Sequence, residues 1–274
     1  MASTLVLDAC SLGAGPTVIV VDPSQTHQTV LSWEATAQLG DSDFPQEQVN
    51  SWRDDVIRFA ADSVGLNGLR LEVTSGLERS EDRAPGFLAD ASLRREWRRT
   101  WYAPDNDNSD PFDFNESGFH FSWLDHVIEK VVVPMREHLA RRGESLFLNL
   151  NYVDFDPSAF KQLDDPEEYA ELILAVFRHM DSKYGFTPLF IAPSNTSMTG
   201  AVAYFDRMLD HPRVLEYLSV LSYHRDLGVS PAALRQIGQR VEQHGVRSGM
   251  LEHISSGYED LHADLEIGRV SMWQ

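Results

Sequence analysis

The sequence predicts an α/β protein whose short parallel strands alternate with helices and curve into an incomplete (β/α)8 TIM barrel. Three observations carry this. Short β-rich segments recur between longer segments with helical apolar spacing, about six β–α units in all. Nearly all are joined by short loops, the pattern of a parallel sheet covered by helices. The alternative closure, an open doubly wound sheet, usually carries a glycine-rich phosphate turn. Neither G-x-G-x-x-G nor G-x-x-x-x-G-K-[ST] occurs, and the G-x-G at Gly13 and Gly15 is followed by Pro16 rather than a helix.

The elements follow in order. Thr17-Val18-Ile19-Val20-Val21 reads as a β segment, so residues 1–21 form a leader or β segment ahead of a barrel over 22–274. Residues 28–34 are the first barrel strand. A helix follows from about Pro45, with Val49, Trp52, Val56 and Phe59 on one face. The second strand is 68–74. The polar and aromatic stretch 77–121 is too long for a plain connection and reads as a functional loop insertion. Leu124, Val127, Ile128, Val131 and Met135 mark a helix with a kink expected at Pro134. The third strand is 146–152. Asp165, Pro166 and Glu168 then announce a helix start ahead of Leu172, Ile173, Val176, Phe177 and Met180. Strands at 187–193, 217–223 and 247–252 alternate with helices at 199–210, 230–244 and 258–267. Ser230-Pro231 starts one of these helices and Gly245 stops it.

Composition narrows the function classes. The 274 residues are 42% hydrophobic and 24% charged, ordinary for a globular chain with a sizeable core. No apolar run approaches the eighteen residues of a membrane span. Forty-two acidic against 23 basic side chains give a net charge of −19, a field that repels phosphate backbones and argues against nucleic acid. The one cysteine, Cys10, excludes an internal disulfide and a C-x-x-C pair. It ends Leu-Val-Leu-Asp-Ala-Cys, a faint likeness to a lipoprotein signal that Asp8 and the missing basic segment weaken. His224, His253 and His262 lack ligand spacing, so neither a metal nor a cofactor is expected.

In a barrel the chemistry sits at the C-terminal ends of the strands. Those ends offer Trp33 and Glu34, then Arg70 and Glu72, then Asn149, Asn151, Tyr152 and Asp154. The later strands offer Ser194 and Asn195, then Tyr223 and His224, then Glu252 and His253. The long loop adds Trp101, Tyr102 and Asp105 to Asn108. Aromatic faces mixed with amides and carboxylates suit a sugar, whose apolar face stacks on rings while its hydroxyls bind polar groups. Each residue also has a plainer role. Glu252 and Arg70 fit structural ion pairs, Tyr223 and His224 a satisfied rim, and Asp105 to Asn108 a turn.

Four segments carry a resemblance: Leu69-Arg70-Leu71-Glu72-Val73, Tyr102 to Asn108, Leu221-Ser222-Tyr223-His224-Arg225 and Met250-Leu251-Glu252-His253. In this order the chain resembles a bacterial retaining glycoside hydrolase of clan A, near glycoside hydrolase family 30. The resemblance implies hydrolysis of a β-linked glycan through a glycosyl-enzyme on Glu252. Arg70 would hold that carboxylate ionised, and Tyr223 and His224 would border the sugar subsite. Trp33, Glu34, Trp101, Asn108 and Asn151 complete the expected substrate contacts. The family's acid/base glutamate ends the fourth strand, often as Asn-Glu, and the strand at 187–195 has no acid. Either Ala192 replaces it or the fourth βα unit is missing near Lys183-Tyr184-Gly185. The eighth strand is expected to be missing as well, and the open edges favour self-association. The alternative is a non-catalytic carbohydrate-binding relic of the same fold.

Overall fold

The computed structural model describes residues 3–7, 17–38, 44–73, 81–93, 96, 120–152, 166–211 and 213–274. Strands β1 (Ser3–Leu7) and β2 (Thr17–Val21) pair antiparallel as a separate two-stranded sheet, Leu5 opposite Ile19. The main sheet holds seven strands, all parallel and in chain order: β3 (Glu34–Thr36), β4 (Gly68–Val73), β5 (Phe147–Tyr152), β6 (Leu189–Ser197), β7 (Leu218–Leu227), β8 (Arg247–Glu252) and β9 (Val270–Trp273). Helices α1 (Gln46–Phe59), α2 (Ala84–Ala89), α3 (Ser122–Val127), α4 (Val133–Arg141), α5 (Pro166–Tyr184), α6 (Met198–Met208), α7 (Val214–Tyr217), α8 (Pro231–His244) and α9 (Tyr258–Ala263) alternate with them. This is an incomplete TIM barrel.

Strand alternation makes two faces. Leu69, Leu71 and Val73 on β4, Leu148 and Leu150 on β5, and Leu221 on β7 belong to the large core formed with Ile128, Met135, Phe177, Met180 and Phe205 of the helical layer. The other face of the strands turns inward. There Ile191, Val220, Leu251 and Met272 pack together with Leu31 as a second, smaller apolar cluster. Leu31 precedes β3 and Met272 lies on β9, so this plug draws the two ends of the sheet together. One backbone hydrogen bond, Leu31 N–H to Ser271 carbonyl at 3.0 Å, spans the seam. Among the described residues β3 and β9 share no ladder.

Local chemistry sets the element ends. Ser230 caps α8 by accepting from the Ala233 N–H at 3.1 Å, and Gly245 ends it at φ 68°. Ser197 caps α6 in the same way through Gly200. Helices α3 and α4 are bridged by a π-turn over Ile128–Val132, and Pro134 sits in the first turn of α4. The π-turn is how the helix passes the proline's missing donor. Gly68 is required by close approach, because a Cβ there would lie 2.7 Å from Ser32 Oγ and 2.8 Å from Ser32 Cβ.

Four expectations are corrected. The first barrel strand covers 34–36; ahead of it Leu31 bonds across the seam to Ser271 of β9, and Trp33 bonds to Asn67 and Gly68 at the start of β4. The buried face of α1 runs through Val49, Ile57 and Ala61 beyond it, leaving Val56 and Phe59 exposed. The strand at 187–193 is longer than expected and extends to Ser197. Residues 270–273, expected to form no strand, are β9, parallel to β8 through Ser248–Val270, Gly249–Met272 and Met250–Trp273.

Candidate functional site

The barrel interior divides in two. The strands β6 to β9 supply the apolar plug, whereas β4 and β5 turn charge and amides inward: Arg70 and Glu72, Asn149 and Asn151. A buried polar group must find partners or be penalised by desolvation, so this face has to be a network. Arg70 Nη2 donates to Glu72 at 2.8 Å, and both side chains are nearly enclosed. Arg70 Nη1 reaches across the barrel to the Leu251 carbonyl at 3.5 Å, one residue before Glu252. Gln38 Nε2 donates to the other oxygen of Glu72 at 2.6 Å.

Glu34 lies against the same guanidinium. It accepts from Asn149 Nδ2, from Gln274 Nε2 at 2.6 Å and from Ser32 Oγ at 3.4 Å. Burial pushes its carboxyl above the usual range, against the lowering pull of those bonds and of Arg70. The Asn149 Oδ1 atom is buried without a partner among the described residues.

A second polar group sits toward the C-terminal ends of β5, β6 and β7. Asn151 Nδ2 donates to Ser194 Oγ at 3.3 Å, and the Ser194 N–H donates to Ser222 Oγ at 2.9 Å. Ser194 Oγ lies 3.4 Å from His224 Nε2, and His224 Nδ1 lies 3.9 Å from Asp226 Oδ2. Ser194 has φ 56°, in the left-handed region, and the β6–β7 register shifts around it. The next pair of strands is shifted between Tyr223 and His224, which sets Glu252 opposite His224. Bulges of this kind re-aim side chains at barrel rims.

The structure thus brings Arg70, Glu34 and Asn151 to the interior and places Glu252, exposed, at the end of β8 in register with His224. Tyr223 lies on the other face of β7. It is wholly buried, and its hydroxyl donates to Asp264 at 2.9 Å, because Ser222 and His224 take the inward positions. The same carboxylate accepts from Arg225 at 2.7 Å and from Trp273 Nε1 at 2.9 Å, so it ties β7 to β9. Trp33 precedes β3 and is 71% exposed. Trp101, Tyr102, Asn108 and Asp154 lie outside the described residues. Asn149, Ser194 and Ser222 were read at the strand ends without a role, and Asp226 and Gln274 were not among the expected site residues. The signal for most of them was available, since polar residues at 149/151 and 222/224 alternate with apolar ones on the opposite face. Among the described residues no three His, Cys, Asp or Glu side chains are grouped to hold a metal ion, and no helix is long and apolar enough to cross a membrane.

No protein-family model and no curated protein matches the chain. Among solved structures it is similar to the glycoside hydrolase family 30 subfamily 8 xylanase Xyn30A from Clostridium acetobutylicum, at 16% identity and TM-score 0.43 over 92% of this chain and 65% of that one. It is also similar to the endo-beta1,6-glucanase BT3312, at 10% identity and TM-score 0.47 over 92% and 68%. An isomerase from Streptomyces coelicolor A3(2) aligns at 11% identity and TM-score 0.39 over 91% and 55%. The chain therefore spans less than two thirds of the length of the first of these structures.

Proposed function

We propose that the chain acts on a β-linked glycan by the retaining route, with Glu252 as the nucleophile. The observation that supports this most is the reach of Arg70 across the barrel to the Leu251 carbonyl, which brings a buried guanidinium to the strand end that carries Glu252. A cation there favours the ionised form of a neighbouring carboxylate, the form that attacks an anomeric carbon. Asn151 and His224, on the inward faces of β5 and β7, are the proposed hydroxyl contacts. Glu34, raised by burial and bonded to Asn149, Gln274 and Ser32 within the field of Arg70, is proposed to position that guanidinium.

In this reading Glu252 displaces the leaving group to give a glycosyl-enzyme, and water then releases the sugar with net retention. Protonation of the leaving oxygen is worth roughly 10²–10⁴-fold in rate. The acid/base carboxylate is unassigned: Asp154 lies outside the described residues, and Glu72 is committed to Arg70 and Gln38. Natural glycans should therefore turn over slowly, while a leaving group that departs without a proton should react.

The test is a time course on a panel of dinitrophenyl β-glycosides, with and without azide, for the wild type and Glu252→Gln. A slow burst, accelerated by azide and absent from the variant, supports the reading. An equal burst in the variant removes Glu252 from the role. No burst with any sugar, together with saturable binding of the same sugars, replaces hydrolysis by carbohydrate binding.

A further inference from the structure

The second polar group at the barrel mouth has an arrangement that glycoside chemistry does not require. A hydroxyl, an imidazole and a carboxylate stand in sequence: Ser194 Oγ, 3.4 Å to His224 Nε2, and His224 Nδ1, 3.9 Å to Asp226 Oδ2. They come from two adjacent strands, Ser194 from β6 and the other two from β7. We propose that Ser194, His224 and Asp226 form an acyl-transfer site that hydrolyses esters with small acyl groups. The proposal concerns a different nucleophile and a different bond from those of the glycan reading and does not depend on it.

The hydrogen-bond directions fit the task. Asn151 Nδ2 donates to Ser194 Oγ, and the Ser194 hydroxyl lies 3.4 Å from His224 Nε2, to which it can donate. Asp226 Oδ2 stands 3.9 Å from Nδ1, beyond hydrogen-bond reach, and on closing that gap it would favour the tautomer that carries its proton on Nδ1 and leaves Nε2 to accept. A nucleophile, a base within reach and a third group orienting the base is the signature of an activated hydroxyl, with distances that are commonly loose before substrate binds. The backbone adds an independent sign. Ser194 sits in a left-handed conformation within β6, three residues before the strand ends and α6 begins. A non-glycine residue pays for such a φ only where surrounding contacts hold it, and here its own N–H is fixed to Ser222 Oγ.

The reaction balances without a cofactor. Ser194 Oγ attacks the acyl carbon while His224 Nε2 takes its proton, giving a tetrahedral oxyanion beside Asn151 Nδ2. The C–O bond to the alcohol breaks, and His224 returns the proton to the leaving alkoxide. Water then attacks the acyl-serine, His224 accepts and returns one proton, and a carboxylic acid leaves. Ser194 and His224 are almost fully buried, so the site has to open for a substrate to reach the hydroxyl, and a small acyl group asks the least opening.

The experiment treats the full 274-residue chain with methanesulfonyl fluoride, a small serine-directed reagent, and maps the adduct by peptide mass spectrometry. The expected result is sulfonylation at Ser194, with a rate that rises about tenfold per pH unit below the imidazole pKa and levels above it. Asp226→Asn, a change at a half-exposed carboxylate, should slow labelling at least tenfold while leaving the pH-independent hydrolysis of the reagent in buffer untouched. Acetate release from p-nitrophenyl acetate should be lost after labelling. An adduct map without Ser194, a rate equal to that of the urea-unfolded chain, or a flat pH profile overturns the proposal.

Discussion

Replacing Arg70 by leucine tests the buried network directly. Arg70 and Glu72 are 7% and 12% exposed at the side chain and 2.8 Å apart, and Glu34 lies in the same field. Leucine fills part of the volume but leaves two carboxylates without their cation. Breaking a buried pair from one side costs about 3–5 kcal/mol, more than the pair itself contributes, because the remaining charge stays desolvated. The deficit should depend on pH. With Arg70 gone, the Glu34 carboxyl, already raised by burial, loses a neighbour that lowers it and titrates further above its unfolded value. Such a group favours folding as it takes up its proton, so the variant regains stability as pH falls from 8 through the raised value. Urea unfolding at pH 8 and pH 5, with the slope held as a check on two-state behaviour, measures it. A deficit below about 1 kcal/mol, or one equal at both pH values, would refute the view that Arg70 compensates buried negative charge.

Two further outcomes follow from the same interior. Glu34→Gln removes a carboxyl whose protonated form the fold favours. Relative to the wild type, the variant should gain stability as pH rises from 4 to 7, and thermal melts across that range read the crossing; a constant difference would show that Glu34 is not shifted upward. Asp264→Ala strips the acceptor from Tyr223, Arg225 and Trp273 at once and should cost about 3–5 kcal/mol, whereas Tyr223→Phe should cost about 1 kcal/mol. Denaturant midpoints for the two and for the double variant should be non-additive.

Alternation of apolar strands with amphipathic helices made the barrel legible, and the caps at Ser230 and Gly245 were readable to the residue. Two strand assignments were not. The four residues of β9 are too few for a period-two pattern to rise above its surroundings, and what holds them in the sheet is distant: Trp273 on Asp264, Met272 on the plug. The segment 28–33 has strand-like composition but spends its backbone on the seam, with Leu31 bonded to Ser271. Within the site, Arg70 and His224 were readable as inward because their strands alternate cleanly. Tyr223 was placed beside His224 by adjacency along the chain, although neighbours on a strand face opposite ways. Ser194 was read at its strand end, but its pairing with His224 was not, because that setting is made by a register break that no periodicity announces.

The location of those breaks connects the fold to its chemistry. Regular parallel pairing runs from β3 to β5 without interruption, but β6, β7 and β8 slip against one another at four places, between Phe190 and Ile191, Ala192 and Asn195, Asn195 and Ser197, and Tyr223 and His224. Below most of these slips the inward residues are Ile191, Val220 and Leu251, and the plug needs only hydrophobic contact, which tolerates a shift in register. Above it the inward residues are Ser194, Ser222 and His224, whose hydrogen bonds exist because the slips turned them toward one another. Stability therefore rests on the helix-covered face and the plug, and the slips at Ala192–Asn195, Asn195–Ser197 and Tyr223–His224 lie toward the C-terminal strand ends, where a barrel carries its reactive groups. A regular β6–β7 ladder would keep the plug, remove the left-handed turn at Ser194 and separate its hydroxyl from His224. Both proposed reactions use residues that this irregular half supplies: Glu252, set opposite His224 by the last slip, and Ser194, set beside it by the earlier ones.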